Sequence, residues 1–282
     1  MFAILEYPFM QNALLTGAII AVIAAVTGYF LIARGLTFAG HALPNVGFAG
    51  AAGAVLLGLT PVLGLFVFTV GAAMGIGLLG SEARERDTSI GVIMTFALGL
   101  GFLFISLYAG NAQLVYAFLF GQIVGITTQD MLITLGVGAF TLLCMMALYR
   151  PLLFSSFDPQ VAEARGLPVR ALSMIFLALV AITISLAVQI VGALFVFTLL
   201  VGPAATAVRI ARSPLRAIVL AIALGVLYTT VGIYLAGESL YWPVSFFIAS
   251  ISFGVYLLAR FLSPGWKRRR VPRGIGGEGK HV

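Results

Sequence analysis

Charge is what this chain has least of. Only 9% of its 282 residues are Asp, Glu, Lys or Arg, where soluble domains carry about 25%. Hydrophobic residues reach 61%, so an ordinary soluble domain is excluded. Cysteine is almost absent: Cys144 stands alone, which rules out an internal disulfide. Catalytic signatures are missing as well. There is no HExxH, no GxSxG, no Walker A sequence and no paired-carboxylate site. No acid lies at the centre of an apolar run, which argues against proton or sodium coupling. The first ten residues hold Glu6 and no cation, so the basic start of a secretory signal is not expected.

What is present is a succession of apolar runs long enough to cross a bilayer, which takes about 20 residues. The sequence predicts an all-α bundle with nine crossings, within a range of eight to ten. The spans are Asn12 to Ile32, Leu43 to Leu59, Val62 to Gly80, Ser89 to Tyr108, Met131 to Tyr149, Ala171 to Ile190, Gly192 to Arg209, Arg216 to Ala236 and Pro243 to Leu262. The sixth and seventh are separated only by Gly192. Leu114 to Val124 is too short to cross and is expected to be a re-entrant or interfacial helix. Threaded this way, all 16 Lys and Arg fall on one face, and Glu6, Asp130 and Glu238 on the other. Cationic loops stay in the cytoplasm, so the N-terminus is expected outside and the C-terminus inside. The basic excess then faces anionic lipid, and nucleic acid is not an expected partner. Residues 1–262 read as one transmembrane domain, and 263–282 as a basic cytoplasmic tail expected to be disordered.

Four segments stand out. In the inner loop from Arg150 to Arg170, Asp158 suits a helix N-cap, Pro159 the first helical position and Gly166 the C-terminal stop. A helix of about two turns is unstable alone, which leaves a surface connector or a docking element. A second inner loop, SEARERDTSIGV, alternates charge and reads as a solvated face, with Asp87, Thr88 and Ser89 able to cap the next helix. The third, VGALFVFTLLVGPAATAVRIA, places Gly202 and Pro203 inside a span. There proline removes a hydrogen bond and predicts a break lined by protein or a cavity. In the fourth, RGLTFAGHALPNVGFAG, His41 and Asn45 share a face if the segment is helical. Imidazole suits zinc and other late first-row ions. Equally, Pro44 could start the helix, leaving His41 interfacial and Asn45 a local cap.

Together these segments resemble the permease subunits of bacterial ABC importers for manganese, zinc and iron, over roughly Asn12 to Leu262. RGLTFAGHALPNVGFAG resembles that family's RxxxLxGDALSHAxLPG region. RDTSIGVIMT resembles its EDTAIGI-type segment, FDPQVAEARGLPV its FDPxxAxxxGxPV loop, and VGALFVFTLLVGPAATA its VGxLLVxALLxxPAATA stretch. The resemblance implies an importer bundle related to the vitamin and siderophore permeases, placed in the bacterial cell (inner) membrane. It implies no enzymatic activity in this chain: ATP is hydrolysed by cytoplasmic ABC ATPase subunits. It also implies a second permease subunit, in a homodimer or heterodimer, and an extracytoplasmic metal-binding protein. Phe157, Asp158, Pro159, Ala162, Gly166 and Val169 would then form the ATPase-coupling loop, and Asp87 and Thr88 a secondary inner contact. No cofactor is held permanently; the divalent metal is cargo. The family's aspartate falls at His41 and its histidine at Asn45, so the implied pathway carries imidazole and amide and no carboxylate. That tilts cargo towards zinc, iron or copper rather than manganese. The alternatives are a permease of the same class for a metal chelate or other small solute, and an ion-coupled secondary carrier.

Overall fold

A computed structural model describes residues 8–78, 83–108, 119–121, 126–239 and 242–262. Among them run eleven α-helices and no strand. They are α1 (Pro8–Ala33), α2 (Thr37–Leu56), α3 (Pro61–Leu78), α4 (Ala83–Leu107), α5 (Thr128–Ala147), α6 (Tyr149–Phe157), α7 (Pro159–Ala164), α8 (Val169–Val191), α9 (Val196–Ile210), α10 (Pro214–Glu238) and α11 (Val244–Leu262). Seven of them, α1, α3, α4, α5, α8, α10 and α11, are long and apolar enough to cross a membrane. With α2 and the shorter apolar α9, the count reaches the nine expected.

α1 and α2 form the centre. α1 packs on α10, α9 and α5, and α2 packs on α3 and α4. Phe30, Phe48, Phe176 and Tyr228 are the largest fully buried side chains. Where helices touch, glycine makes the approach possible. A Cβ on Gly50 would lie 2.2 Å from the carbonyl oxygen of Gly64, and one on Gly64 2.1 Å from that of Gly50. α2 and α3 therefore meet backbone to backbone, the contact that small residues permit in lipid. Gly47 also lies in this crossing, against Thr69 and Leu65, whereas Gly71 and Gly75 of α3 face open space.

Several boundaries move. α2 begins at Thr37, six residues before the expected span, so Pro44 lies inside the helix and does not start it. The reason lies just upstream. Gly35, at φ +65, ends α1, and Leu36 N–H donates to Leu31 O (2.8 Å) while Gly35 N–H donates to Ile32 O (3.2 Å). This double closure stops α1 and lets the chain re-enter helix at once. α4 begins at Ala83, so Asp87 and Thr88 are helical and do not cap it; Ala, Arg and Glu are good helix formers and extend it outward. The inner loop holds an additional helix, α6, with Pro151 in its first turn, where proline is tolerated. Gly192, at φ +81, does separate α8 from α9. Most of Leu114 to Val124, and all of the 263–282 tail, lie outside the described residues.

Candidate functional site

The polar residues of α2 sit in the most enclosed helix of the bundle. Asn45 is 4% exposed. Its Nδ2 donates to the backbone carbonyl of His41 (2.8 Å) and lies 3.6 Å from the Met94 sulfur on α4. Pro44 cannot donate to the carbonyl of Gly40, and the Asn45 amide reinforces the ladder one residue on. His41, half-buried, points between two aromatic rings. Phe197 of α9 meets it edge to face at 5.2 Å between centroids, and Phe38 lies at 6.4 Å. The i, i+4 spacing thus places both residues on one side of α2, but their side chains do different things. The imidazole faces α9, and the amide turns back onto its own helix and α4. Among the described residues, no three His, Cys, Asp or Glu side chains come together to hold a metal ion.

Gly202 and Pro203 lie within one continuous helix, α9, so the expected break is not an interruption. Gly202 serves an approach instead: a Cβ there would sit 2.0 Å from Ser252 Oγ of α11. Thr206 Oγ1 donates to Gly202 O (2.9 Å). The close approach of α11 and the Thr206 bond to the Gly202 carbonyl accompany the passage of the helix through its proline.

The inner loop is closed at both ends. Asp158 caps α7 by accepting from Val161 N–H (3.0 Å), with Pro159 in the first position. At the other end Gly166 takes φ +80. Gly166 N–H donates to Glu163 O (2.9 Å) and Leu167 N–H to Ala162 O (3.0 Å), a Schellman closure. Only Ala162 is buried in this helix. Phe157, the last residue of α6, is 73% exposed and Val161 42%. Val169 begins α8 and is half-buried. The short helix thus has both ends satisfied, with Phe157 and Val161 left exposed beside it.

Within the first turns of α4, Arg86 turns inward. Arg86 donates to the carbonyl of Gly35 (3.2 Å), and its Nε lies 3.9 Å from Asp87; Thr88 is exposed. Arg34 is turned in beside it, and burial, with the Arg86 charge adding to it, lowers the Arg34 pKa from its ordinary value. Sequence reading missed Phe38, Met94 and Phe197 as partners of the α2 pair. An aromatic or Met in an apolar run carries no mark of which neighbour it meets.

A multi-spanning bundle with a capped helix standing outside it, and no nucleotide-binding sequence of its own, is the architecture of a transporter's permease subunit. The chain belongs to the ABC 3 transport family, whose model matches residues 6–263. It is 34% identical to the manganese import system permease protein ScaB of Streptococcus parasanguinis, over 94% of each chain. It is 31% identical to the manganese transport system membrane protein MntC of Halalkalibacterium halodurans, over 93% of this chain and 89% of that one. Among solved structures it is similar to PsaBC from Streptococcus pneumoniae in complex with Fab. The TM-score there is 0.82 at 31% identity, over 94% of this chain and 95% of that one. An inward-facing ABC transporter described as of metal-chelate type shares the fold at TM-score 0.66 and 18% identity. The chain is therefore a transport subunit and not an enzyme; ATP hydrolysis lies in separate subunits.

Proposed function

We propose that this chain moves a divalent metal ion into the cytoplasm by alternating access, driven by ATP binding in partner subunits, with His41 as a transient ligand. The observation that carries the reading is the His41 imidazole, held between Phe38 and Phe197 on the enclosed helix α2. Transit demands weak binding, because an ion held too tightly cannot leave. A single pathway imidazole from each chain, and two in a dimer, fits that demand better than a cage of carboxylates. The relatives named for manganese support a metal cargo. Imidazole and amide at positions 41 and 45 favour zinc or iron over manganese. Asn45, with its amide nitrogen committed to the His41 carbonyl, orients the imidazole-bearing turn.

The exposed surfaces support a set of partners. ATPase subunits dock on α7 and the exposed Phe157 and Val161, with Asp87 and Thr88 as a secondary contact. A second permease subunit completes the pathway, and an extracytoplasmic metal-binding protein delivers the ion. The one-sided cations support a cytoplasmic α7 and an external N-terminus.

The test is uptake of zinc, manganese and iron by the complex in liposomes, with His41→Ala and His41→Asp at matched protein levels. His41→Ala should abolish uptake, and His41→Asp should restore it with a shift towards manganese. Transport of all three metals by His41→Ala at the parental rate would sink this pathway.

A further inference from the structure

We propose that Arg34 is a positioning residue that ties the capped inner loop to the helix carrying His41, so that movement of α7 reaches α2 through one guanidinium. The inference rests on the transport reading above. Arg34 Nη1 donates to Ser155 Oγ of α6 (2.8 Å), and Nη2 donates to Ser173 Oγ of α8. α6 leads into α7 and α8 leads out of it, so the two serines bracket the whole loop from Asp158 to Val169. Ser155 is 2% exposed, three residues before the cap of α7. The Phe176 ring lies 5.7 Å from the guanidinium carbon and steadies its plane.

The other end of the link is equally short. Gly35 follows Arg34, and the two hydrogen bonds that close α1 there leave only Leu36 before α2 begins. Arg86 of α4 donates to the Gly35 carbonyl (3.2 Å) and pins the turn from its far side. A pull on the Arg34 side chain is therefore delivered to the first turn of α2, and His41 lies on the second.

The chemistry suits a movable link. Among the described residues both terminal nitrogens bond neutral hydroxyls, and Arg34 Nε is buried without an acceptor. A buried charge held this way is poor value as a stabiliser, since apolar side chains would serve packing as well. What it supplies is geometry: a planar fork that engages two helices at once, which a lysine ammonium on its flexible stem does not reproduce. Hydroxyl partners also release more readily than carboxylates, whose charge-assisted bonds are roughly twice as strong.

The experiment uses the full chain with its ATPase subunits in liposomes and reads metal ions taken up per ATP hydrolysed. The variants are the Ser155→Ala/Ser173→Ala double substitution and Arg34→Lys. In the double variant the ratio should fall about tenfold, the effect of 1.4 kcal/mol, while the ATPase subunits still co-purify and hydrolyse ATP. Arg34→Lys should fall between it and the parent. A merely structural role would lower uptake and hydrolysis together and leave the ratio fixed. An unchanged ratio in the double variant, which removes only two hydroxyls, overturns the link even if Arg34→Lys fails to fold. Absence of ATP-driven uptake in the parent overturns the transport reading and this inference together; a working parent with unaltered variants overturns the link alone.

Discussion

α2 and the segment from Phe157 to Gly166 both contradict their surroundings, in opposite senses. α2 carries His41, Pro44 and Asn45 in the enclosed middle of an apolar bundle, and Phe157 and Val161 carry apolar surface that none of the described residues covers. α2 resolves its conflict internally, with the Asn45 amide on its own backbone and glycine drawing α3 against it. The loop leaves its conflict unresolved while satisfying every end of its short helix. The polar helix is the one proposed here to line the path through the molecule. The apolar one, complete but uncovered, is the one proposed here to dock a partner.

The contrast can be broken most forcefully at the glycines. Gly50→Val puts a branched side chain onto a backbone carbonyl 2.2 Å from its Cβ. Overpacking of this kind costs about 1–3 kcal/mol and more where backbone must move, so monodisperse protein in detergent should largely be lost. Gly166→Val meets nothing within 4 Å but sits at φ +80; its strain should be about 1–2 kcal/mol, confined to α7. Full folded yield and melting temperature with impaired ATPase capture is the expected phenotype. If both variants melt alike, the two regions do not differ as claimed.

The next pair removes polar bonds. Asp158→Ala should cost about 0.5–2 kcal/mol of local helix stability, read as faster hydrogen exchange at Val161 and weaker ATPase capture. Asn45→Leu should cost about 0.5–1.5 kcal/mol of bundle stability, read by thermal unfolding in detergent. The smallest structural effect belongs to Phe157→Ser, an exposed site where stability should stay within about 0.5 kcal/mol. ATPase capture should nonetheless drop. Undiminished capture by Phe157→Ser and Asp158→Ala together would reduce the loop to a connector.

The two regions were unequally legible in the sequence. Asp158, Pro159 and Gly166 announce α7 because capping is local chemistry: each residue acts on backbone within four positions. The long helices are legible for the same reason, through their apolar length. Pro44 misleads because its usual preference for a helix start is overridden by the closure at Gly35, and no residue near Pro44 signals it. Gly202-Pro203 misleads likewise, since packing against Ser252, fifty residues away, keeps α9 continuous. The pairing of Gly50 with Gly64, of His41 with Phe197, and of Arg34 with Ser155 and Ser173 is set by which helices become neighbours. A single sequence does not print that.

Gly192 carries one more consequence, for how the molecule comes together. A Cβ there would fall within 2.5 Å of the backbone of residues 119–121. Leu194 N–H donates to Leu119 O (3.3 Å), and Ser245 Oγ donates to Phe120 O (3.2 Å) across 125 positions of sequence. On the ribosome the chain around Phe120 is thus made long before either partner exists. Its final seat forms only after α11 has emerged, making it one of the last contacts the growing chain can close. Until then that end of the bundle stands open, and a chain truncated before Ser245 should be captured in that state.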